Sequence, residues 1–248
     1  MIEVRGVSKG YFGVPVLEDI TFTADDGAVC GLIGYNGAGK TTLLRVMAGV
    51  YRPERGEALL DGEPVYENTA RKSRTFMLTE DLFFLPQADL DAMRDFYVGY
   101  YPAWDDAIYE KLCGAFGLDR GRKIAGFSKG MRRQAGIILA FSSAPRYLLL
   151  DEIFDGLDLA MRRVTRALLA DYVRATGATV VVTSHNLREL EDGIDKIAMI
   201  RQNRLAFVGS VAEIRERHGT LEEYFLGERE PDEAAFRDIF SRDPSVSA

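Results

Sequence analysis

Residues Gly34 to Thr42 read GYNGAGKTT. They lie between a continuous apolar run, AVCGLI at 28–33, and a segment of helical spacing, Leu43, Leu44, Val46 and Met47, that runs out near Gly49. Nothing else in the chain constrains its fold so tightly: a buried strand must deliver the backbone into a glycine-rich turn, and the turn must open a helix. Gly34, Gly39, Lys40 and Thr41 occupy the fixed places of the pattern G-x-x-x-x-G-K-S/T. Glycines there let the backbone from Gly34 through Tyr35, Asn36, Gly37, Ala38 and Gly39 wrap an anion with its N–H groups inward. The helix N-terminus adds about half an elementary positive charge. Lys40 is placed to reach the β- and γ-phosphates of a nucleotide, the Thr41 hydroxyl to ligate Mg²⁺, and Thr42 to extend the cradle.

The rest of the chain divides by pattern. Residues 2–7 and 16–22 alternate apolar and polar, as half-buried strands do, and Asp61-Gly62 between strand-like flanks marks a short hairpin. Residues 80–143 turn to helical spacing and aromatics, with Phe96, Tyr97, Tyr100, Tyr101 and Trp104 close together. From 147 the pattern becomes strand and helix in alternation. YLLLDE (147–152) and ATVVVTSH (178–185) read as buried strands around an amphipathic helix that stops at Gly177. That alternation predicts a mainly parallel sheet flanked by helices. Residues 197–208 predict a hairpin turning at Gln202-Asn203, and 228–248 are charged and weakly patterned.

Further residues fit the same chemistry. Asp151 and Glu152 close an apolar strand, the sheet edge where open α/β folds gather ligands. Asp151 is expected to hold Mg²⁺, directly or through water, and Glu152 to polarise a water for attack on the γ-phosphate. His185, after ATVVVTS, falls at that edge too, where a neutral imidazole hydrogen-bonds the γ-phosphate and the attacking water. In FSKGM (127–131), Ser128 is a helix cap and Gly130 permits close backbone approach.

Taken in order, from about residue 2 to about 225, these pieces resemble the nucleotide-binding domain of ATP-binding cassette (ABC) proteins, and the aromatic-rich stretch FYVGYYPAWDD looks like that of exporter-type cassettes that serve separate membrane subunits. GYNGAGKTT looks like Walker A, YLLLDE like Walker B with its following glutamate, and FSKGM like the signature otherwise written LSGGQ. Gly156-Leu157-Asp158 resembles the D-loop and Thr183-Ser184-His185 the switch-histidine loop. Tyr11 stands where the family places an aromatic that stacks on adenine. The resemblance implies an α/β fold: a P-loop NTPase (RecA-like) core with a mainly parallel sheet, an N-terminal antiparallel β subdomain and an inserted helical subdomain. Residues 1–210 would form the ATPase domain, with its helical part at about 81–143, and 211–248 a C-terminal extension.

The same resemblance implies two cassettes facing head to tail, either two copies of this chain or this chain with a homologous cassette. ATP and Mg²⁺ on Gly34–Thr42 of one would be closed over by Ser128, Lys129, Gly130 and Asp158 of the other. It implies ATP hydrolysis coupled to an integral-membrane permease, with the chain peripheral on the cytoplasmic face. A permease-free cassette, such as an iron–sulfur assembly ATPase, is the alternative. The chain departs from the family where a glutamine is usual: Glu80 stands there, with Gln87 seven residues later, and is expected to help coordinate Mg²⁺. Lys129 replaces the second signature residue, either adding a cation near the γ-phosphate or pointing outward. The aromatics after Glu80 are either the core of the helical lobe or, at Leu82, Phe83, Phe84 and Leu85, part of a groove for a permease helix.

Composition narrows the alternatives. A formal net charge of −7 argues against broad contact with nucleic acid, so none is expected as a partner. Cys30 and Cys113 are too few for a disulfide framework or a four-cysteine zinc site and read as small apolar fillers.

Overall fold

A computed structural model describes residues 1–184, 187, 190 and 193–226. The chain begins with β1 (Ile2–Tyr11) and β2 (Val14–Ala24), then β3 (Val29–Ile33), α1 (Lys40–Met47), β4 (Arg55–Leu60) and β5 (Glu63–Pro64). The short α2 (Thr69–Lys72) precedes β6 (Thr75–Leu78). Three helices come next: α3 (Leu90–Val98), α4 (Asp106–Phe116) and α5 (Lys129–Ser142). The chain then alternates through β7 (Tyr147–Leu150), α6 (Leu159–Thr176), β8 (Thr179–Thr183), β9 (Lys196–Arg201) and β10 (Arg204–Ser210). It continues into α7 (Val211–His218) and α8 (Leu221–Leu226).

The strands form two sheets. One is antiparallel, in the order β2-β1-β4-β5; the other has six strands in the order β10-β9-β3-β8-β7-β6. In the larger sheet β9, β3, β8, β7 and β6 run parallel, and β10 closes one edge antiparallel to β9. The turns are those the sequence predicts. Asp61-Gly62 and Gln202-Asn203 all take positive φ, as a two-residue hairpin turn matched to strand twist requires.

The apolar runs that show no alternation in sequence alternate in space. Tyr147 and Leu149 of β7 face one core, Leu148 and Leu150 the other; Val181 and then Val180 with Val182 divide likewise in β8. A parallel sheet covered on both faces needs apolar side chains at every position, and period two then sorts them between two cores. The first core is roofed by α1 and the antiparallel sheet, through Leu43, Leu44, Val46 and Met47 against Leu17, Ile20 and Leu60. Burying each large aliphatic side chain there stabilises the docking by about 1.5–3 kcal/mol. The second core takes α3 to α6, with Met93, Tyr109, Ile138, Phe141 and Leu169 among its members.

Helix ends are capped, at Ser128 and Gly177 as the sequence indicates. Asp89, Asp105, Ser128 and Asp158 each accept a hydrogen bond from a first-turn N–H of α3, α4, α5 and α6, and Gly177 ends α6 in the left-handed region. Cys30 and Cys113 are free and buried, and burial pushes the Cys30 thiol up to about 12. Among the described residues no helix is long and apolar enough to cross a membrane.

Candidate functional site

Strands β3, β7 and β8 end side by side, and the three segments that leave them meet at one edge of the larger sheet. After β3 the chain enters the glycine-rich turn. Gly39 has φ +98, and a Cβ there would lie 2.8 Å from Leu17 Cδ2 and 3.0 Å from the Val16 carbonyl oxygen, so both conformation and space demand glycine. Lys40 then starts α1. It is only 7% exposed, and its ammonium donates to the carbonyls of Gly34 at 2.8 Å and Tyr35 at 3.3 Å. Burial pushes its pKa down, while the carboxylates of Glu152 and Asp151 act in the opposite sense.

Thr41 joins the first strand end to the second. Its hydroxyl donates to Asp151 Oδ2 at 2.7 Å, across 110 residues of sequence. The third strand end closes the group: Thr183 Oγ1 donates to Asp151 Oδ1 at 2.7 Å and accepts from the Glu152 N–H at 2.9 Å. Glu152 itself sits at φ +48, a left-handed conformation that costs a non-glycine residue about 1–3 kcal/mol. The cost is met locally by the Thr183 contact and by the Asp151 N–H, which donates to the Leu78 carbonyl at 2.8 Å. This held backbone turns Glu152 into a cleft of about 460 Å³.

That cleft brings together Tyr11, Asn36, Gly37, Gly39, Lys40, Thr41, Thr42, Glu80 and Glu152, along with Val16 and Asp155. Its size suits a nucleotide-sized ligand. Glu80 lines it, whereas Gln87 does not. Tyr11 is part-exposed at the rim, its hydroxyl 3.5 Å from Thr42 Oγ1 and its ring edge-on to Tyr51. Gly34, Ala38 and Asp151 do not line the cleft, and neither does Tyr35, whose ring lies 4.6 Å from that of Phe225 in α8. His185 lies outside the described residues.

The residues present fit Mg²⁺. Thr41 and Asp151 set a hydroxyl and a carboxylate at one point, both hard oxygen donors. Among the described residues no group of three or more His, Cys, Asp or Glu could close around a cation. Magnesium asks for no such cage, since it takes one or two carboxylates and completes its shell from phosphates and water.

Ser128, Lys129, Gly130 and Asp158 do not line this cleft. They form a second surface, where the first turn of α5 packs closely on the loop that precedes α6. A Cβ on Gly130 would lie 2.9 Å from the Gly156 carbonyl oxygen, and the Lys129 stem crosses Gly156 at 3.2–3.3 Å from its Cβ position. Ser128 and Asp158 are the exposed N-caps of α5 and α6, so both helix N-termini open to solvent on this surface. Of the residues read as a groove, Leu82, Phe84 and Leu85 pack partly against the second core, and Phe83 alone is well exposed. An aromatic groove does exist, of about 330 Å³, but Phe96, Tyr97, Tyr100 and Tyr101 line it with Thr69, Lys72 and Ser73.

Asp155 is a site residue that no motif singles out, and its one signal in the sequence is its spacing from Asp151. Thr183 belongs to the switch-histidine segment, but its bridge between Asp151 and Glu152 does not follow from that motif.

The family model described as "ABC transporter" matches residues 17–155, more than half of the chain. The chain belongs to the ABC transporter family. It is 29% identical over 218 residues to "ABC transporter ATP-binding protein YtrB" of Bacillus subtilis (strain 168), covering 88% of this chain and 75% of that one. It is 30% identical over 261 residues to "Methionine import ATP-binding protein MetN 2" of Pseudomonas entomophila (strain L48), covering 98% and 78%. A solved structure described as "Structure of ATP binding subunit of ABC transporter" superposes with a TM-score of 0.83 at 28% identity, over 92% of this chain and 98% of its own. The ABC cassette thus has the α/β P-loop architecture that its motifs imply, with the antiparallel sheet and the helical insertion in place.

Proposed function

We propose that this chain is the ATP-binding and ATP-hydrolysing subunit of an ABC transporter, and that it acts as a pair of cassettes on a separate integral-membrane permease. The observation that carries the reading is the joining of three strand ends at one cleft: Lys40, Thr41 and Glu152 line it, and Asp151 and Thr183 tie Thr41 and Glu152 together by hydrogen bonds. Residues 1–210 are the cassette, with its helical part at about 81–143. Residues 211–248 are an extension whose first helices rest on it, through Phe225 against Tyr35.

In this mechanism the glycine-rich backbone and Lys40 hold the β- and γ-phosphates, and Tyr11 flanks the base. Thr41 and Asp151, with Glu80 nearby, would hold Mg²⁺, which when bound neutralises charge on the phosphate oxygens. Glu152 takes a proton from the attacking water as its oxygen bonds to the γ-phosphorus, and the bond to the bridging oxygen of ADP breaks. His185 donates to the γ-phosphate. Ser128, Lys129, Gly130 and Asp158 of a second cassette cover the open side, where the α5 N-terminus adds a second positive dipole end. Closure therefore follows ATP binding, and opening follows hydrolysis.

The permease is assigned to the aromatic groove. Phe96 lies 5.0 Å from Tyr100 and 5.3 Å from Tyr97, ring centroid to centroid, and Tyr100 is 62% exposed. Such a groove suits the apolar face of a short helix. Through that partner the chain sits at the cytoplasmic face of the membrane. The relatives are transporter subunits by name, which favours a permease over a permease-free assembly ATPase.

The proposed direction is outward, on the resemblance of the aromatic stretch to exporter cassettes. The methionine importer among the relatives supports the inward reading. ATP-driven flux in vesicles of the reconstituted complex separates the two.

Purification from detergent-solubilised membranes tests the partner. We expect a co-purifying protein with several apolar spans, and a loss of about tenfold in its recovery for Tyr100→Glu, as for an anchor residue at an interface. Recovery only in complexes without a membrane protein contradicts the reading.

A further inference from the structure

The loop from Thr79 to Leu85 carries Glu80 into the cleft, yet its fastenings run to the helical lobe. Arg133 of α5 is 2% exposed, and its guanidinium donates to the carbonyls of Thr79 at 3.0 Å and Glu80 at 3.2 Å. The Arg132 guanidinium lies over the Phe84 ring at 5.7 Å. One turn on, a Cβ at Gly136 would come within 2.9 Å of Leu78 Cδ1 and 3.0 Å of Leu82 Cδ2, so α5 lies directly against the loop.

Arg133 thus grips both peptide carbonyls that flank the Glu80 Cα. A guanidinium with two of its donors spent on neighbouring carbonyls fixes a loop in direction as well as position. The same helix begins at Ser128, about 7.5 Å away along its axis.

We propose that Arg133 is a positioning residue: it holds Glu80 in the nucleotide cleft and ties that placement to the orientation of α5. This rests on the reading of the cleft as the ATP site.

The test is a double-variant cycle on the full chain, with Arg133→Met, Glu80→Ala and both together. Arg133→Met keeps an apolar stem and removes the carbonyl grip. It should lower kcat for ATP hydrolysis by about tenfold, the scale for groups that orient a site residue, and leave KM nearly unchanged. In the Glu80→Ala background it should have no further effect, because the two act as one unit. Amide hydrogen exchange across 79–85 should rise in Arg133→Met and stay near the parent rate in Glu80→Ala. Arg133→Lys, which reaches one carbonyl, should restore part of the rate, and it replaces Arg133→Met in the cycle if that variant does not fold. Losses that multiply in the double variant, or a lower melting temperature with kcat unmoved, overturn the positioning role while leaving the ATP site standing. A Glu80→Ala variant with the parent kcat removes Glu80 from the site reading and overturns the inference with it.

Discussion

Glu152→Gln hydrolyses ATP at least about a hundredfold more slowly than the parent chain while still binding it, since a positioned general base contributes about 10²–10⁴ in rate. The substitution keeps the shape of the side chain and removes its proton-accepting charge. It leaves intact the backbone arrangement that aims residue 152, because the Thr183 hydroxyl accepts from the main-chain N–H and not from the side chain. The strained φ of +48 is also a property of the backbone. Phosphate release in single turnover gives the chemical rate, and equilibrium binding of labelled ATP gives the affinity. Turnover within a few-fold of the parent would move the base elsewhere, and Asp155, which lines the same cleft, would then be the carboxylate to change.

Lys40→Ala weakens ATP binding by about 30-fold or more. Lys40 is the cation at the floor of the cradle, 7% exposed, and it is held in place by two main-chain carbonyls. Truncating one partner of a buried, hydrogen-bonded charge pair costs about 2–5 kcal/mol, which converts to a loss on the order of 30-fold to several thousandfold in Kd. The effect has a simple origin. Burial already disfavours the charged ammonium, and the neighbouring Asp151 and Glu152 offset part of that cost; in the proposed mechanism phosphate oxygens complete its coordination. Titration calorimetry with ATP reads the loss directly, and a melting curve confirms that the variant is folded. An unchanged affinity would remove the cradle assignment.

The sequence was most legible where chemistry is local. The turn from Gly34 to Thr42 needs only its own glycines and the helix it starts, so its place and role follow from spacing. The Ser128 cap, the Gly177 stop and the Asp61-Gly62 hairpin are local in the same way. The apolar runs of β3, β7 and β8 announce a sheet covered on both faces, because no alternation survives when both faces are dry. The contacts that span sequence were less visible. Thr183 bridges Asp151 and Glu152 only because β7 and β8 pair in one register, Leu150 opposite Val182. Nothing near Thr183 in sequence states this. Asp155 enters the cleft because the chain curls back after Glu152, with the Asp155 N–H donating to the Glu152 carbonyl at 3.1 Å. The choice between Glu80 and Gln87 depends on how a loop is fastened to α5, and two arginines of that helix do the fastening. The aromatic groove lies at residues 96–101 and not at 82–85 for a similar reason: Phe96, Tyr97, Tyr100 and Tyr101 share it with Thr69, Lys72 and Ser73, a pairing of segments far apart in sequence.

In the proposed mechanism ATP is enclosed between two cassettes, with Lys40 of one chain beneath it and Ser128 of the other above. Sedimentation equilibrium of Glu152→Gln with saturating ATP and Mg²⁺ tests this most directly, because slow hydrolysis preserves the closed state. The expected species has twice the chain mass, returns to single chains when ADP replaces ATP, and does not form when Ser128 is changed to Glu. A single-chain mass with ATP fully bound would contradict the enclosure.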